Sequence, residues 1–213
     1  MSQYSSLYEH TFRFIFIGEC SVGKTSLANR LVDNRFIPYY DATIGVDYSS
    51  MIVELNNGTR AKCQLWDTAG QESFAPLVKS YYRNIAGAII VFDVTCRRSF
   101  ERLKFWLQEL RQNSENNYPI PKLLIGNKID SSRRCISFEE ANEFAERNDL
   151  IYRETSAKKS ENIANAFQDL CNKVAENMEE NMGVTSNRQV DLEKQDSEKD
   201  RTYYYNCYKC NIS

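Results

Sequence analysis

Residues 11–25 read TFRFIFI-GECSVGKT, and the break inside this stretch decides the fold. Residues 11–17 are aromatic and branched, as a buried strand is. Gly18 interrupts them, and an amphipathic run then places Leu27, Leu31 and Val32 on one face. Strand, loop and helix follow in that order. The loop, Gly18-Glu19-Cys20-Ser21-Val22-Gly23-Lys24-Thr25, matches GxxxxGK[ST] between strand and helix, the context that motif requires. Successive backbone N–H groups of such a loop, with the positive end of the following helix, bind phosphates; Lys24 reaches the outer ones and Thr25 ligates magnesium. Gly18, Ser21, Val22, Gly23, Lys24, Thr25 and Ser26 are the expected phosphate-side residues. The loop alone leaves ATP-using kinases and ATPases open.

Working outward, residues 46–55 and 61–66 are apolar runs separated by Asn56, Asn57 and Gly58, and Asn-Gly signals a hairpin between antiparallel neighbours. Residues 86–94 (AGAIIVFDV) are apolar nearly throughout, and residues 122–126 (KLLIG) repeat this, as strands covered on both faces do. Phe100, Leu103, Leu107 and Leu110 recur at helical spacing, as do Ile163, Phe167, Leu170 and Val174. Ser137 with Glu140 has the spacing of a capping box, followed by the apolar face of Phe138, Ala141, Phe144 and Ala145. Residues 150–154 add a short strand. Strands alternating with helices predict an α/β fold: a six-stranded, mostly parallel sheet with one antiparallel edge hairpin strand and helices on both faces. The expected organisation is a flexible segment 1–10, a domain 11–180 and a disordered tail 181–213, where large apolar residues almost vanish.

Composition narrows the function. The 27 Lys+Arg against 29 Asp+Glu leave no basic field, so nucleic acid is not an expected partner. No stretch approaches the roughly 20 apolar residues of a membrane span, and the start lacks a signal core. Of seven cysteines, Cys20, Cys63, Cys96, Cys135 and Cys171 are scattered, read as buried thiols of a reducing compartment, whereas Cys207 and Cys210 close the chain. With His10 the only histidine, the terminal CxxC lacks partners for zinc.

Asn127-Lys128-Ile129-Asp130 follows the strand at 122–126, at the carboxyl edge where such sheets bind ligands. Asp130 can accept from the two N–H donors that guanine offers and adenine does not. Asn127 can bond either the base or the phosphate loop, and the stem of Lys128 can lie over the ring.

Together with Thr43-Ile44-Gly45-Val46-Asp47-Tyr48, Trp66-Asp67-Thr68-Ala69-Gly70-Gln71-Glu72, Tyr81-Tyr82-Arg83 and Glu154-Thr155-Ser156-Ala157-Lys158, these motifs make residues 11–175 resemble a Ras-superfamily small GTPase, most like the Rab family. The resemblance implies a P-loop G-domain acting as a monomeric GTP/GDP switch with Mg²⁺ as cofactor. It implies Thr25, Thr43 and Asp67 around the metal, and Gln71, Lys24 and Thr43 in hydrolysis. It assigns the Gly70 N–H to the terminal phosphate, and Phe36, Tyr40, Ser156, Ala157 and Lys158 to nucleotide contact. It gives an effector surface of Ile44, Tyr48, Trp66 and Tyr81. Implied partners are an exchange factor, a GTPase-activating protein, membrane-trafficking effectors, a prenyltransferase and a solubilising escort.

The chain departs from the family where Cys20 and Ser21 replace glycines near the terminal phosphate, where Ser73 replaces an arginine, and where Tyr48 replaces a phenylalanine. The first pair bears on turnover, the others on partner choice. Cys210-Asn211-Ile212-Ser213 fits a prenylated CaaX ending. One lipid chain gives only marginal binding, and the stretch 183–201, with a net charge of −1, adds no electrostatic help, so Cys207 is the expected second lipid site. A lipid-anchored pool on the cytoplasmic face of a membrane, exchanging with a cytosolic pool, is the resulting expectation.

Overall fold

A computed structural model describes residues 7–38, 43–70, 79–114 and 119–182. Strand β1 (His10–Ile17) leads through the glycine loop into helix α1 (Lys24–Asp33), and β2 (Val46–Glu54) and β3 (Arg60–Thr68) follow as a hairpin. A 3-10 turn (Lys79–Tyr82) precedes β4 (Gly87–Asp93), then α2 (Arg97–Glu101), α3 (Leu103–Asn113), β5 (Lys122–Asn127), α4 (Phe138–Arg147), β6 (Ile151–Thr155) and α5 (Ile163–Met182).

The six strands form one sheet in the order β2-β3-β1-β4-β5-β6. Only β2 and β3 pair antiparallel, Val46 opposite Thr68 through to Glu54 opposite Arg60; the other neighbours are parallel. The hairpin closes at Gly58, whose φ of +81° is cheap only for glycine.

Alternation along β1 sorts its side chains into two cores, since successive strand residues point to opposite faces. Phe12, Phe14 and Phe16 pack with Leu27 and Leu31 of α1 and Phe167 and Leu170 of α5. Ile15 and Ile17 face Leu103 and Leu107 of α3 and Ala141 of α4. Both faces are thus covered, which is why β4 reads as unbroken apolar sequence and is buried along its whole length.

Two readings are refined and one is met. The run through Phe100 and Leu110 is two helices that meet at Arg102, while Ser137 caps α4 as its spacing foretold, its Oγ accepting from the Glu140 N–H at 3.1 Å. The scattered cysteines are not uniformly core residues. Cys63 and Cys171 are buried, but Cys20, Cys96 and Cys135 are exposed, because each lies in a loop at a strand or helix end rather than on a face turned to the sheet.

Because the chain leaves β1 between β3 on one side and β4 on the other, the carboxyl end of β1 is the sheet's switch point, where a crevice opens. The glycine loop occupies that point.

Candidate functional site

The loop is shaped by contacts that exclude side chains. At Gly18, φ is +143° and a Cβ would lie 2.3 Å from the Val91 carbonyl oxygen; at Gly23, φ is +104° and a Cβ would lie 2.3 Å from Asn127 Nδ2. Ser21 takes the same left-handed region, φ +63°, without being glycine. That conformation is uncommon for a side-chain-bearing residue and marks local strain.

Lys24 is folded back over the loop, its ammonium donating to the carbonyls of Gly18 and Glu19 at 2.8 Å each. Burial lowers its pKa to about 8, opposed by the nearby Asp67 charge. Beside it, Thr25 Oγ1 donates to Asp67 Oδ2 at 2.5 Å and lies 2.9 Å from Thr43 Oγ1. Asp67 is only 3% exposed, and among the described residues its Oδ1 has no hydrogen-bond partner. Burial raises its pKa to about 6, with the Thr25 bond and Lys24 acting against it.

Two hydroxyls and a carboxylate with an orphaned buried oxygen are a donor set for a hard divalent cation. No group of three or more His, Cys, Asp or Glu side chains suited to a metal occurs among the described residues, so such a cation would depend on these hydroxyls and on oxygens brought by its ligand. At Gly70 a Cβ would come within 2.5 Å of the Cys20 nitrogen and 2.6 Å of the Glu19 carbonyl, so this backbone abuts the glycine loop as only glycine allows.

At the other end, Asn127 is 1% exposed, and both its amide nitrogen and its amide oxygen are engaged. Its Nδ2 donates to the Val22 carbonyl at 2.9 Å, and its Oδ1 accepts from the Ala157 N–H at 3.2 Å and from Thr155 Oγ1 at 3.3 Å. The bond to the glycine loop, one of the two options the sequence left open for this side chain, is present. Lys128, at φ +70°, donates to the Ser21 carbonyl at 2.7 Å and pairs with Asp93 at 2.8 Å. Asp130 Oδ1 accepts from Ser156 Oγ at 2.6 Å, which leaves its other oxygen for a ligand.

A cleft of about 850 Å³ joins the two ends. Cys20, Ser21, Gly23, Lys24, Thr25, Ser26, Thr43 and Gly70 line it together with Phe36, Asn127, Lys128, Asp130, Ala157 and Lys158. Gly18, Val22, Asp67 and Ser156 stand behind this wall, buried, and act on it through the bonds just given or through backbone. Tyr40 and Gln71 lie outside the described residues, as do Ser73, Cys207 and Cys210.

The sequence reading missed Ile37, Pro38, Asp93, Thr95 and the segment 131–133, which also line the cleft. Asp93 carried a signal, a lone charge closing an apolar strand at its carboxyl end. Outside the cleft, Tyr48, Trp66 and Tyr81 form a continuous stack with ring centroids 4.8 and 4.9 Å apart. They are half-buried rather than exposed, because they pack on one another; Ile44 is 84% exposed.

Comparison with known proteins gives a consistent answer. The model of the Ras family matches residues 13–176. The chain is 43% identical over 184 residues to Ras-related protein Rab-2B of Dictyostelium discoideum, an alignment covering 86% of this chain and 90% of that protein.

Proposed function

From the premise that this chain belongs to the Ras family, as a small GTPase most like the Rab proteins, we propose that it is a GTP/GDP-dependent switch that recruits effectors at a membrane in vesicle trafficking. The observation that carries this is one cleft with Lys24 and Thr25 at one end and Asp130 at the other.

In this reading the glycine-loop N–H groups and the Lys24 ammonium hold the phosphates, and Asp130 accepts from two guanine N–H groups while Ser156 fixes its other oxygen. Phe36 covers the base, the backbone at Ala157 and Lys158 completes the base pocket, and Tyr40 is a further nucleotide contact that the family resemblance implies. Thr25 and Thr43, with Asp67, would hold Mg²⁺, which when bound would neutralise charge on the outer phosphates. Gln71 orients the attacking water. Thr43 and the Gly70 N–H contact the terminal phosphate, so its loss releases both segments and turns hydrolysis into a conformational change. The Tyr48, Trp66 and Tyr81 stack with Ile44 is the effector surface.

Intrinsic hydrolysis is slow, on the order of 10⁻⁴ s⁻¹, and an activating protein supplies up to ~10⁵-fold. No helix among the described residues is long and apolar enough to cross a membrane. Attachment to the cytoplasmic face is instead through lipid at Cys210 and Cys207, and an exchange factor, a prenyltransferase and an escort protein maintain the cycle with a cytosolic pool. The protein works as a monomer.

One observation favours a second reading, a GTP-loaded binding module with little hydrolysis. Cys20 and Ser21 are both exposed and both line the cleft, where bulk crowds the attacking water. Single-turnover phosphate release, with and without cell extract, separates the two: release accelerated by extract supports the timer, and none in either case supports the module. Displacement of bound GDP by ATP at comparable concentration would sink both.

A further inference from the structure

Arg30 approaches the base end of the cleft from the last turn of α1, and every nitrogen of its guanidinium is engaged. Nε donates to the Ala157 carbonyl at 2.8 Å and Nη2 to the Lys158 carbonyl at 3.1 Å. Nη1 donates to the Asn34 carbonyl at 2.7 Å and to Asn34 Oδ1 at 3.3 Å, and the guanidinium carbon stands 5.6 Å from the centre of the Phe36 ring. Ser160 Oγ closes the circuit by donating to Asn34 Oδ1 at 3.2 Å.

We infer that Arg30 is a positioning residue that sets how long guanine nucleotide stays bound, by holding segment 156–158 and Phe36 together as one preformed wall. The inference rests on the guanine-nucleotide reading above. None of the base-side groups of that reading is Arg30 itself; it acts through them.

The physical case is one of preorganisation. The Ala157 peptide is fixed from both sides, its N–H by Asn127 Oδ1 at 3.2 Å and its carbonyl by Arg30 Nε. A planar fork with fixed donor directions can hold three carbonyls at once, which the single ammonium of lysine cannot. A wall ordered before the ligand arrives does not charge its ordering entropy to binding, and that saving appears mainly as slower dissociation. Arg30 also has a plainer role available: a cation in the last turn of a helix interacts favourably with the helix dipole. Lysine would preserve that role and lose the fork.

The test therefore compares Arg30→Lys and Arg30→Ala with the parent in the full chain. Dissociation of a fluorescent GDP analogue and single-turnover hydrolysis of preloaded GTP are measured on the same preparations, with circular dichroism to establish folding. The expected result is analogue dissociation about 10-fold faster for Arg30→Lys and about 30-fold for Arg30→Ala, of the size expected when one to two hydrogen-bond equivalents are lost. Hydrolysis of bound GTP should stay within about twofold, because the bonds of Arg30 among the described residues all go to the base end and to Asn34. Parent-like dissociation in Arg30→Lys would reduce the residue to a helix-end charge and overturn the inference. So would equal losses in dissociation and hydrolysis, which indicate general loosening. A parent that fails to retain the analogue refutes the guanine-nucleotide reading instead, and is recognised before any variant is compared.

Discussion

Asn127→Ala tests whether the side chain that opens the Asn-Lys-x-Asp motif acts as a brace even without ligand. The substitution deletes one donor and one acceptor and strands three partners: the Val22 carbonyl, the Ala157 N–H and the Thr155 hydroxyl. All three belong to residues at most 4% exposed, so water does not reach them freely. An orphaned buried polar group costs about 1–3 kcal/mol. Taking the low end for each, since the vacated space can admit a water, the loss is about 3 kcal/mol. For a chain of this size about 1 kcal/mol corresponds to 2–4 °C in melting temperature, giving a drop of roughly 6–12 °C. The assay is thermal unfolding, followed by circular dichroism, of protein stripped of nucleotide and metal with chelator and phosphatase. Asn127→Asp is the internal control. It keeps the two accepted bonds but sets a carboxylate against the Val22 carbonyl, and should melt at or below the alanine variant. If stripped Asn127→Ala melts within 2 °C of the parent, the brace is not a brace, and the residue matters only to a bound base.

Asp130→Asn should shift base preference from guanine toward xanthine, because an amide can donate where the carboxylate only accepts; unchanged GTP affinity in competition with xanthosine triphosphate would remove Asp130 from the base site. Nucleotide affinity should also depend on pH through Lys24, whose pKa of about 8 lies below the ordinary lysine value because of burial. Polyphosphate favours the ammonium, so above pH 8 binding must take up a proton and affinity falls with rising pH, by at most about tenfold per unit, with no contribution from this group well below pH 8. A GDP dissociation constant that is flat from pH 7 to pH 9 refutes it. Cys210→Ser should leave the chain folded and nucleotide-binding but found in the soluble fraction after cell fractionation; retention on membranes would place the anchor elsewhere.

What the sequence showed and what it hid have physical causes. The sheet was legible because β1, β4 and β5 are covered on both faces and read as apolar runs, and because Asn57-Gly58 permits little except a tight turn. The break at Arg102 was not, because α2 and α3 keep the same apolar period across it and only backbone hydrogen bonds record the junction. Within the cleft, Lys24, Thr25 and Asp130 stand out since motif spacing fixes them on loops at strand ends. Arg30 does not, because its importance comes from the Ala157 carbonyl, 127 positions away in sequence, and Asp93, a lone charge closing an apolar strand, signals its own place but not its distant partner Lys128. The bond from Asn127 to Val22 spans 105 positions, and no local pattern could choose it over a bond to ligand.

The deepest of these features is the presence of two opposite buried charges at the phosphate end, each within the other's field. Lys24 and Asp67 are 5% and 3% exposed, and burial moves both pKa values toward neutrality, the ammonium down to about 8 and the carboxylate up to about 6. Each also favours the charged form of the other, yet desolvation remains the larger influence on both. For Asp67 the raised value means stability fully present below its unfolded pKa and lost as pH rises through 6; for Lys24 the lowered value means stability present above its unfolded pKa and lost as pH falls through 8. Between pH 6 and pH 8 both groups are charged and buried, so the site bears both penalties at once, each about 1.4 kcal/mol for every tenfold change in proton affinity. A polyanion relieves the Lys24 charge and a divalent cation the Asp67 charge. Neither alone relieves both, so the electrostatics of the cleft favour a metal-polyphosphate pair over either component, and removing the metal should weaken nucleotide retention even though the base pocket is untouched.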